Sequence, residues 1–367
     1  MIAAADRPIH RPANAQLLLV DAAGRVSDTP RAAFLDVLHP GDLVVANDAA
    51  TLPASLRGVH RPTGRAIEVR LAGRVSLAGN EVREFTAIVF GEGDFHVRTE
   101  DRPPPPPLAA GDRLALGPLS ATVLTTLDHP RLIRLGFDAA PDAIWAGLAR
   151  HGRPIQYAHV AQPLALWDVW TAFAGPPVAF EAPSAGFSLD WKTLSAMRAR
   201  KIEFATLTHA AGISSTGDDT LDARLPFDEP YHIPATTARA IARARLDGCR
   251  VVAVGTTVVR AVEHAARRDG RVHEGYGLAD QRIGPATRLQ VVDAILSGVH
   301  EAGTSHYQLL RAFTDDATLD RMLEAMDAHD FRGHEFGDSV FIEADVTRRP
   351  ARRRPISRRL PVSPDPR

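Results

Sequence analysis

Residues 251–263 read VVAVGTTVVRAVE. The run from Arg250 to Val254 reads as a buried strand, because its apolar residues are consecutive instead of alternating. Gly255, Thr256 and Thr257 then turn the chain into a helix that extends to about Arg267, with hydroxyls where an N-cap is wanted. A strand that feeds a helix through a tight turn is the repeating unit of an α/β sheet. The turn also leaves backbone N–H groups free at the positive end of the helix dipole. An anion, carboxylate or phosphate, is therefore expected at Thr256 and Thr257, although plain capping of the helix explains the same residues.

The same grammar extends outward from this unit. From Pro177 onward strands and helices alternate. Ile202 to Thr208 reads as a strand, and Pro234 opens a helix through Leu246 that Gly248 closes. Further helical patterns run from Ser305 to Phe313 and from Ala317 to His329. Residues 17–48 read the same way, with LLLVD and DLVVAND as strands. Between Gly58 and about His151 the period changes to two, as at Ile67, Val69 and Leu71 against Glu68 and Arg70. Similar runs occupy Glu84 to Phe90, Phe95 to Thr99, Leu114 to Leu116, Ala121 to Leu127 and Leu132 to Phe137, which suggests a small barrel or sandwich. The run Pro103 to Pro107 must be an extended loop, since prolines donate nothing to a ladder. The expected fold is thus a Rossmann-like α/β domain, residues 1–57 and 152–345, interrupted by an inserted β-barrel domain at 58–151.

Composition limits function more than it names it. The 367 residues are 45% apolar and 24% charged, the balance of a folded two-domain chain. Cys249 stands alone, so no intrachain disulfide or cysteine-rich metal site can form, and a cytoplasmic protein is expected. The start MIAAADRPIHRP has no apolar h-region, and no run of about 18 apolar residues occurs, so neither secretion nor membrane spanning is supported. Residues 346–367 hold eight Arg and one Asp, a net of +7, which leaves -8 for the rest of a chain of net charge -1. This segment reads as a basic, disordered tail.

Several chemistries lack their signatures. There is no G-x-G-x-x-G and no G-x-x-x-x-G-K-[ST], which disfavours dehydrogenases and nucleoside triphosphatases. No G-x-S-x-G elbow accompanies the scattered serines and histidines. His329, Asp330, His334, Glu335 and Asp338 match no recognised zinc spacing, so no metal is expected there. His300 reads as an ordinary structural histidine from the residues alone.

Six separated stretches, in order, are HPGDLVVANDAATLPASLRG (39–58), EVRLAGRV (68–75), APSAGFSLD (182–190), AVGTTVVRAVE (253–263), VVDAILSGVHEAGTS (291–305) and FGDSVFI (336–342). Together they resemble the S-adenosylmethionine:tRNA ribosyltransferase-isomerase family of queuosine biosynthesis, over roughly Leu17 to Ile342. The resemblance implies an α/β domain interrupted by a barrel. It also implies a reaction that moves the ribosyl part of S-adenosylmethionine, as co-substrate, onto 7-aminomethyl-7-deazaguanine in tRNA. Epoxyqueuosine forms, adenine and methionine leave, and no prosthetic group or metal takes part. Such chemistry asks for a base beside the sulfonium, a pocket for departing adenine and cationic contacts to tRNA. A monomer that binds no membrane is expected.

Carried over position by position, Asn47 and Asp48 match the family's N-D, while Ala50, Ser55 and Gln16 stand where it carries arginine. Pro183, Ala185 and Gly186 match P-T-A-G, with Ser184 for threonine and with Phe187 and Ser188 departing from the pattern. His209 matches a histidine. In DARLPFDEPYHIPATTARAI (222–241) Glu229, Tyr231, Pro234 and Thr237 align, but Arg224 and Phe227 replace two histidines. Gly255, Thr256, Thr257, Arg260, Asp293, His300, Thr304, Ser305, Arg332, Gly337 and Asp338 agree with the pattern. The resemblance makes Asp48, His209 and Glu229 candidate proton carriers. Substrate contacts fall to Asn47, Pro183, Ser184, Ala185, Gly186, Gly255, Thr256, Thr257, Arg260, Asp293, His300, Thr304, Ser305 and Asp338. The missing arginines and histidines leave two alternatives open: an S-adenosylmethionine-using enzyme with a small nucleoside acceptor, or a non-catalytic nucleotide- or RNA-binding paralogue.

Overall fold

The computed structural model describes residues 2–10, 14–345 and 347. The basic segment expected to be disordered lies, apart from Thr347, outside the described residues. A nine-stranded sheet runs in the order Gly275–Ala279, Glu229–Ile233, Glu203–His209, Leu43–Asn47, Val251–Val254, Ala294–Gly298, Ser339–Glu343, Gln16–Val20 and Val26–Pro30. Its centre is parallel: Leu43–Asn47 pairs in register with Glu203–Leu207 on one side and with Val251–Val254 on the other, and Val252–Val254 pairs with Ala294–Leu296.

Every residue of Leu43–Asn47 and Val251–Val254 is buried because both sheet faces are covered. Leu43, Val45, Val251 and Ala253 pack with Ile241, Ala244, Val258, Val262 and Leu310 on one face. Val44, Ala46, Val252 and Val254 pack with Phe34, Leu189 and Met197 on the other. The pleat thus sends successive side chains into two separate cores.

The barrel is closed, in the order Leu119–Thr126, Leu132–Phe137, Glu84–Phe90, Arg65–Gly73, Ser55–His60 and Arg113–Leu116, with the last strand returning to the first. Closure leaves no free edge. The chain enters and leaves side by side: the Ser55 amide donates to the Arg153 carbonyl and the Arg153 amide to that of Ser55, both at 2.9 Å. Gly152 is required at this neck, since a Cβ there would meet the Pro53 carbonyl oxygen at 2.2 Å.

Three local expectations are corrected. Phe95 to Thr99 is not a strand but a turn, because the Asp94 carboxylate accepts from the His96 amide at 2.9 Å and bends the chain. The hydroxyls of Thr256 and Thr257 do not cap their helix. Gly255 is the N-cap residue, at φ +90°, with no side-chain cap. The helix at Ser305 ends at Leu310, three residues early.

Candidate functional site

The parallel strands end together at Asn47, His209, Val254 and Gly298. Beyond Asn47 the chain returns to the sheet through Trp191–Ala199, whose Met197 packs on one face. Beyond Val254 it returns through Thr256–Ala266, whose Val258 and Val262 pack on the other. Neighbouring strands whose connections depart to opposite faces leave a crevice at their carboxyl ends, where α/β proteins bind ligands. Here that crevice is an open cleft bordered by Ser184, Gly255, Thr256, Arg260 and His300, the kind of concave place that small-molecule sites occupy.

One wall is a charged hub. Glu229, on the strand Glu229–Ile233, accepts from the Gly212 amide at 2.6 Å and from His209 Nε2 at 2.8 Å, and is paired with Arg260. Burial alone would push this carboxyl up, but the Arg260 guanidinium, His209 and the Gly212 amide together outweigh it and hold it at about 2. Glu229 is therefore a fixed anion. Facing it, His209 must carry its proton on Nε2, and Nδ1 has no hydrogen-bond partner among the described residues. Arg260 Nη2 is also spent, donating to the Ala279 carbonyl at 2.8 Å. Asn47 ties the hub to the switch point. Its Nδ2 donates to the His209 carbonyl at 2.9 Å and to Thr257 Oγ1 at 3.3 Å, while its Oδ1 accepts from the His209 amide at 2.9 Å.

The opposite wall carries two stacked imidazoles and a second carboxyl. His300 and His306 stack with ring centroids 4.6 Å apart. Burial, together with the proximity of His306 and His334, pushes His300 well below the ordinary imidazole range, and burial also lowers His306. Both are imidazoles that can accept a proton at neutral pH. Ser297 Oγ bonds His300 Nε2 at 3.0 Å, and Thr256 Oγ1 bonds His306 Nδ1 at 3.1 Å. Glu181, bonded to the Tyr157 hydroxyl, is pushed up by burial against the hydrogen bonds of Tyr157 and Ser214. Two carboxyls in one cleft are thus driven in opposite directions.

Of the residues singled out from sequence, Pro183, Ser184, Ala185, Glu229, Gly255, Thr256, Thr257, Arg260, His300 and Ser305 line this cleft. Asn47 and His209 stand directly behind it. Asp48 ends the strand after Asn47, and its carboxylate accepts from Thr208 Oγ1 at 2.7 Å. Gly186 sits against Thr171, where a Cβ would meet Cγ2 at 2.8 Å. Thr304 caps its own short helix, accepting from the Tyr307 amide. Two others lie away from the cleft. Asp293 precedes its strand, at the opposite end of the sheet, and accepts from the Val251 amide at 2.7 Å. Asp338 is a latch, accepting from the Gln16 and Arg332 amides at 2.7 Å each. Sequence reading missed His306, Glu181, Ser297 and Gly212. Ser297 lies within a recognised stretch, Glu181 and His306 lie next to one, as His306 follows Ser305, and Gly212 adjoins none.

Fold and cleft together define an α/β protein with an inserted barrel and a small-molecule site at its sheet switch point. The family model described as "Queuosine biosynthesis protein" matches residues 2–342, and the chain belongs to that family. It is 33% identical, over 92% of this chain and 94% of the relative, to the S-adenosylmethionine:tRNA ribosyltransferase-isomerase of Sorangium cellulosum. It is 31% identical to the enzyme of the same name from Citrifermentans bemidjiense, over 92% and 95%. A solved S-adenosylmethionine tRNA ribosyltransferase from Thermotoga maritima is 20% identical, with a TM-score of 0.49 over 92% of this chain and 95% of that one.

Proposed function

We propose that this chain moves the ribosyl moiety of S-adenosylmethionine onto 7-aminomethyl-7-deazaguanine in tRNA, giving epoxyqueuosine and releasing adenine and methionine. The observation that carries the reading is convergence: residues from separated stretches of the family pattern meet in one cleft at the switch point of the sheet. S-adenosylmethionine is the co-substrate, and tRNA is the macromolecular partner of a monomeric, cytoplasmic enzyme. The α/β part, expected at 1–57 with 152–345, holds the cleft, and the inserted barrel domain, expected at 58–151, takes its first strand from Ser55–His60.

The geometry supports a division of labour. Backbone N–H groups at the start of the Thr256–Ala266 helix suit the methionine carboxylate. His300 and His306, neutral and stacked, suit removal of the proton that the neighbouring sulfonium acidifies. Glu181, a carboxyl driven towards its protonated form, suits donation to departing adenine. Glu229 spends its carboxylate oxygens on His209, Arg260 and the Gly212 amide and so serves as a positioning residue, while His209, with Nε2 given to Glu229 and Nδ1 unpartnered among the described residues, stays a candidate proton carrier. Asp48 accepts from Thr208 Oγ1 through one carboxylate oxygen and stays a candidate proton carrier beside Asn47.

Incubation with labelled S-adenosylmethionine and precursor-bearing tRNA should release adenine, and H300A should lower that rate by about 100-fold or more. No release at high enzyme concentration would refute the transferase. Release that a free nucleoside supports but tRNA does not would move the acceptor to a small molecule.

A further inference from the structure

We propose that His159, His334 and Glu335 form a binding site for one divalent transition-metal ion at the rim of the cleft. His159 Nε2 lies 3.2 Å from Glu335 Oε2, the rings of His159 and His334 are 4.3 Å apart, and one ligand atom from each residue lies within 4.8 Å of the others. Two imidazoles and one carboxylate are the donor set of three-ligand zinc sites and of facial triads for iron or manganese. Metal–ligand bonds of about 2.0–2.1 Å put neighbouring ligands of a tetrahedron ~3.3 Å apart. The His159–Glu335 separation already has that length.

A plain hydrogen bond would account for His159 and Glu335 but not for the third residue. His334 is held at φ +66°, a backbone region that side chains other than glycine rarely adopt. The turn that holds it is fixed from several directions. Gly337 donates to the His334 carbonyl at 3.1 Å, Asp338 clamps the Arg332 amide, and a Cβ on Gly337 would meet the Arg332 carbonyl oxygen at 2.3 Å. On the far side the Tyr157 ring lies parallel to that of His159, 6.3 Å away, and its hydroxyl is bonded to Glu181. Packing of this kind limits how the two imidazoles can turn.

Three protein ligands leave at least one coordination position, and His334 is exposed. That position would take an oxygen or nitrogen donor of a bound small molecule. The cluster adjoins the cleft: Ser184, Ala185 and Gly298 line both it and the smaller hollow that His334 and Glu335 line. No spacing rule could reveal the site, because His159 and Glu335 are 176 residues apart. Of the other acidic and histidine residues near it in sequence, His329 pairs with Asp28 and Asp338 serves backbone amides.

The test is a Co2+ titration of the full chain, free of any histidine tag, read by visible absorption and by metal content after dialysis. One ion per chain is expected, with affinity about tenfold or more weaker in H159A and in E335Q and unchanged in H329A. Circular dichroism identifies variants that keep their fold, and H159Q replaces H159A if the latter does not. No saturable uptake by the parent chain, or uptake unchanged in folded H159 and E335 variants, would overturn the proposal. It stands or falls independently of the transferase reading, since binding is measured without substrate.

Discussion

Glu229 is where sequence and environment meet most sharply. Its carboxyl is lowered from 4.5 to about 2 in the folded chain, so it stabilises the fold above pH 4.5 and that contribution is lost as pH falls towards 2. A shift of this size corresponds to roughly 3 kcal/mol at neutral pH. The stability difference between the parent and E229Q, measured by urea unfolding, should be large at pH 7 and should shrink steadily between pH 5 and pH 2. A difference independent of pH would mean the carboxylate is not held as an anion. Glu229 and His209 were both legible as candidates, but the environment that holds Glu229 as an anion was not. A proton carrier and a fixed anion are the same residue type in sequence, and the distinction lies in Arg260 and the Gly212 amide, which the fold brings in from elsewhere. His306 and Glu181 were illegible for a similar reason: burial and stacking give them their chemistry, and neither leaves a local pattern.

At the scale of the element, the strand-turn-helix at 251–263 was read correctly in type and nearly in extent, because an unbroken apolar run followed by glycine has few other solutions. What capped the helix was misread. Gly255 sits at φ +90° with its Cβ position 3.5 Å from Ala185, so backbone conformation sets this turn and the threonine hydroxyls are left to serve His306 and Asn47. G255A should therefore cost about 1–2 kcal/mol in thermal unfolding and should also weaken S-adenosylmethionine binding, measured by calorimetry, since it distorts the helix start. An unchanged affinity would remove the helix start from the ligand site. Glu229–Ile233 escaped detection because Pro230 interrupts it, and proline argues against an internal strand. The strand survives because Pro230 still accepts from the Ala210 amide at 3.0 Å. Gly275–Ala279 escaped because its two glycines carry no pattern to read.

For the molecule as a whole, the change of hydrophobic period from helix-strand alternation to two, and back again, was enough to disclose a small β-rich unit inserted in an α/β sheet, and the family resemblance made that unit a barrel. The polar cluster inside that barrel was not legible. Glu68 accepts from Arg70 at 2.7 Å and pairs with Arg102, all three buried, with Arg70 lying 4.8 Å over the Phe90 ring. Removing the carboxylate leaves two buried guanidiniums uncompensated, so E68A should destabilise the chain by about 3–5 kcal/mol, visible as a lowered Tm. A shift within error would show that water reaches the cluster. Long-range assembly also decides function here: Ala50 is buried and Ser55 donates to Glu68 at 2.8 Å, so neither position offers tRNA the cation that the family pattern has there. Transfer onto tRNA is nonetheless the proposed reaction. Its most direct test is nucleoside mass spectrometry of precursor-bearing tRNA after incubation with the enzyme and S-adenosylmethionine. The account predicts conversion of 7-aminomethyl-7-deazaguanosine to epoxyqueuosine in the parent and its loss in H300A; tRNA left unmodified by a folded, S-adenosylmethionine-binding parent would contradict it.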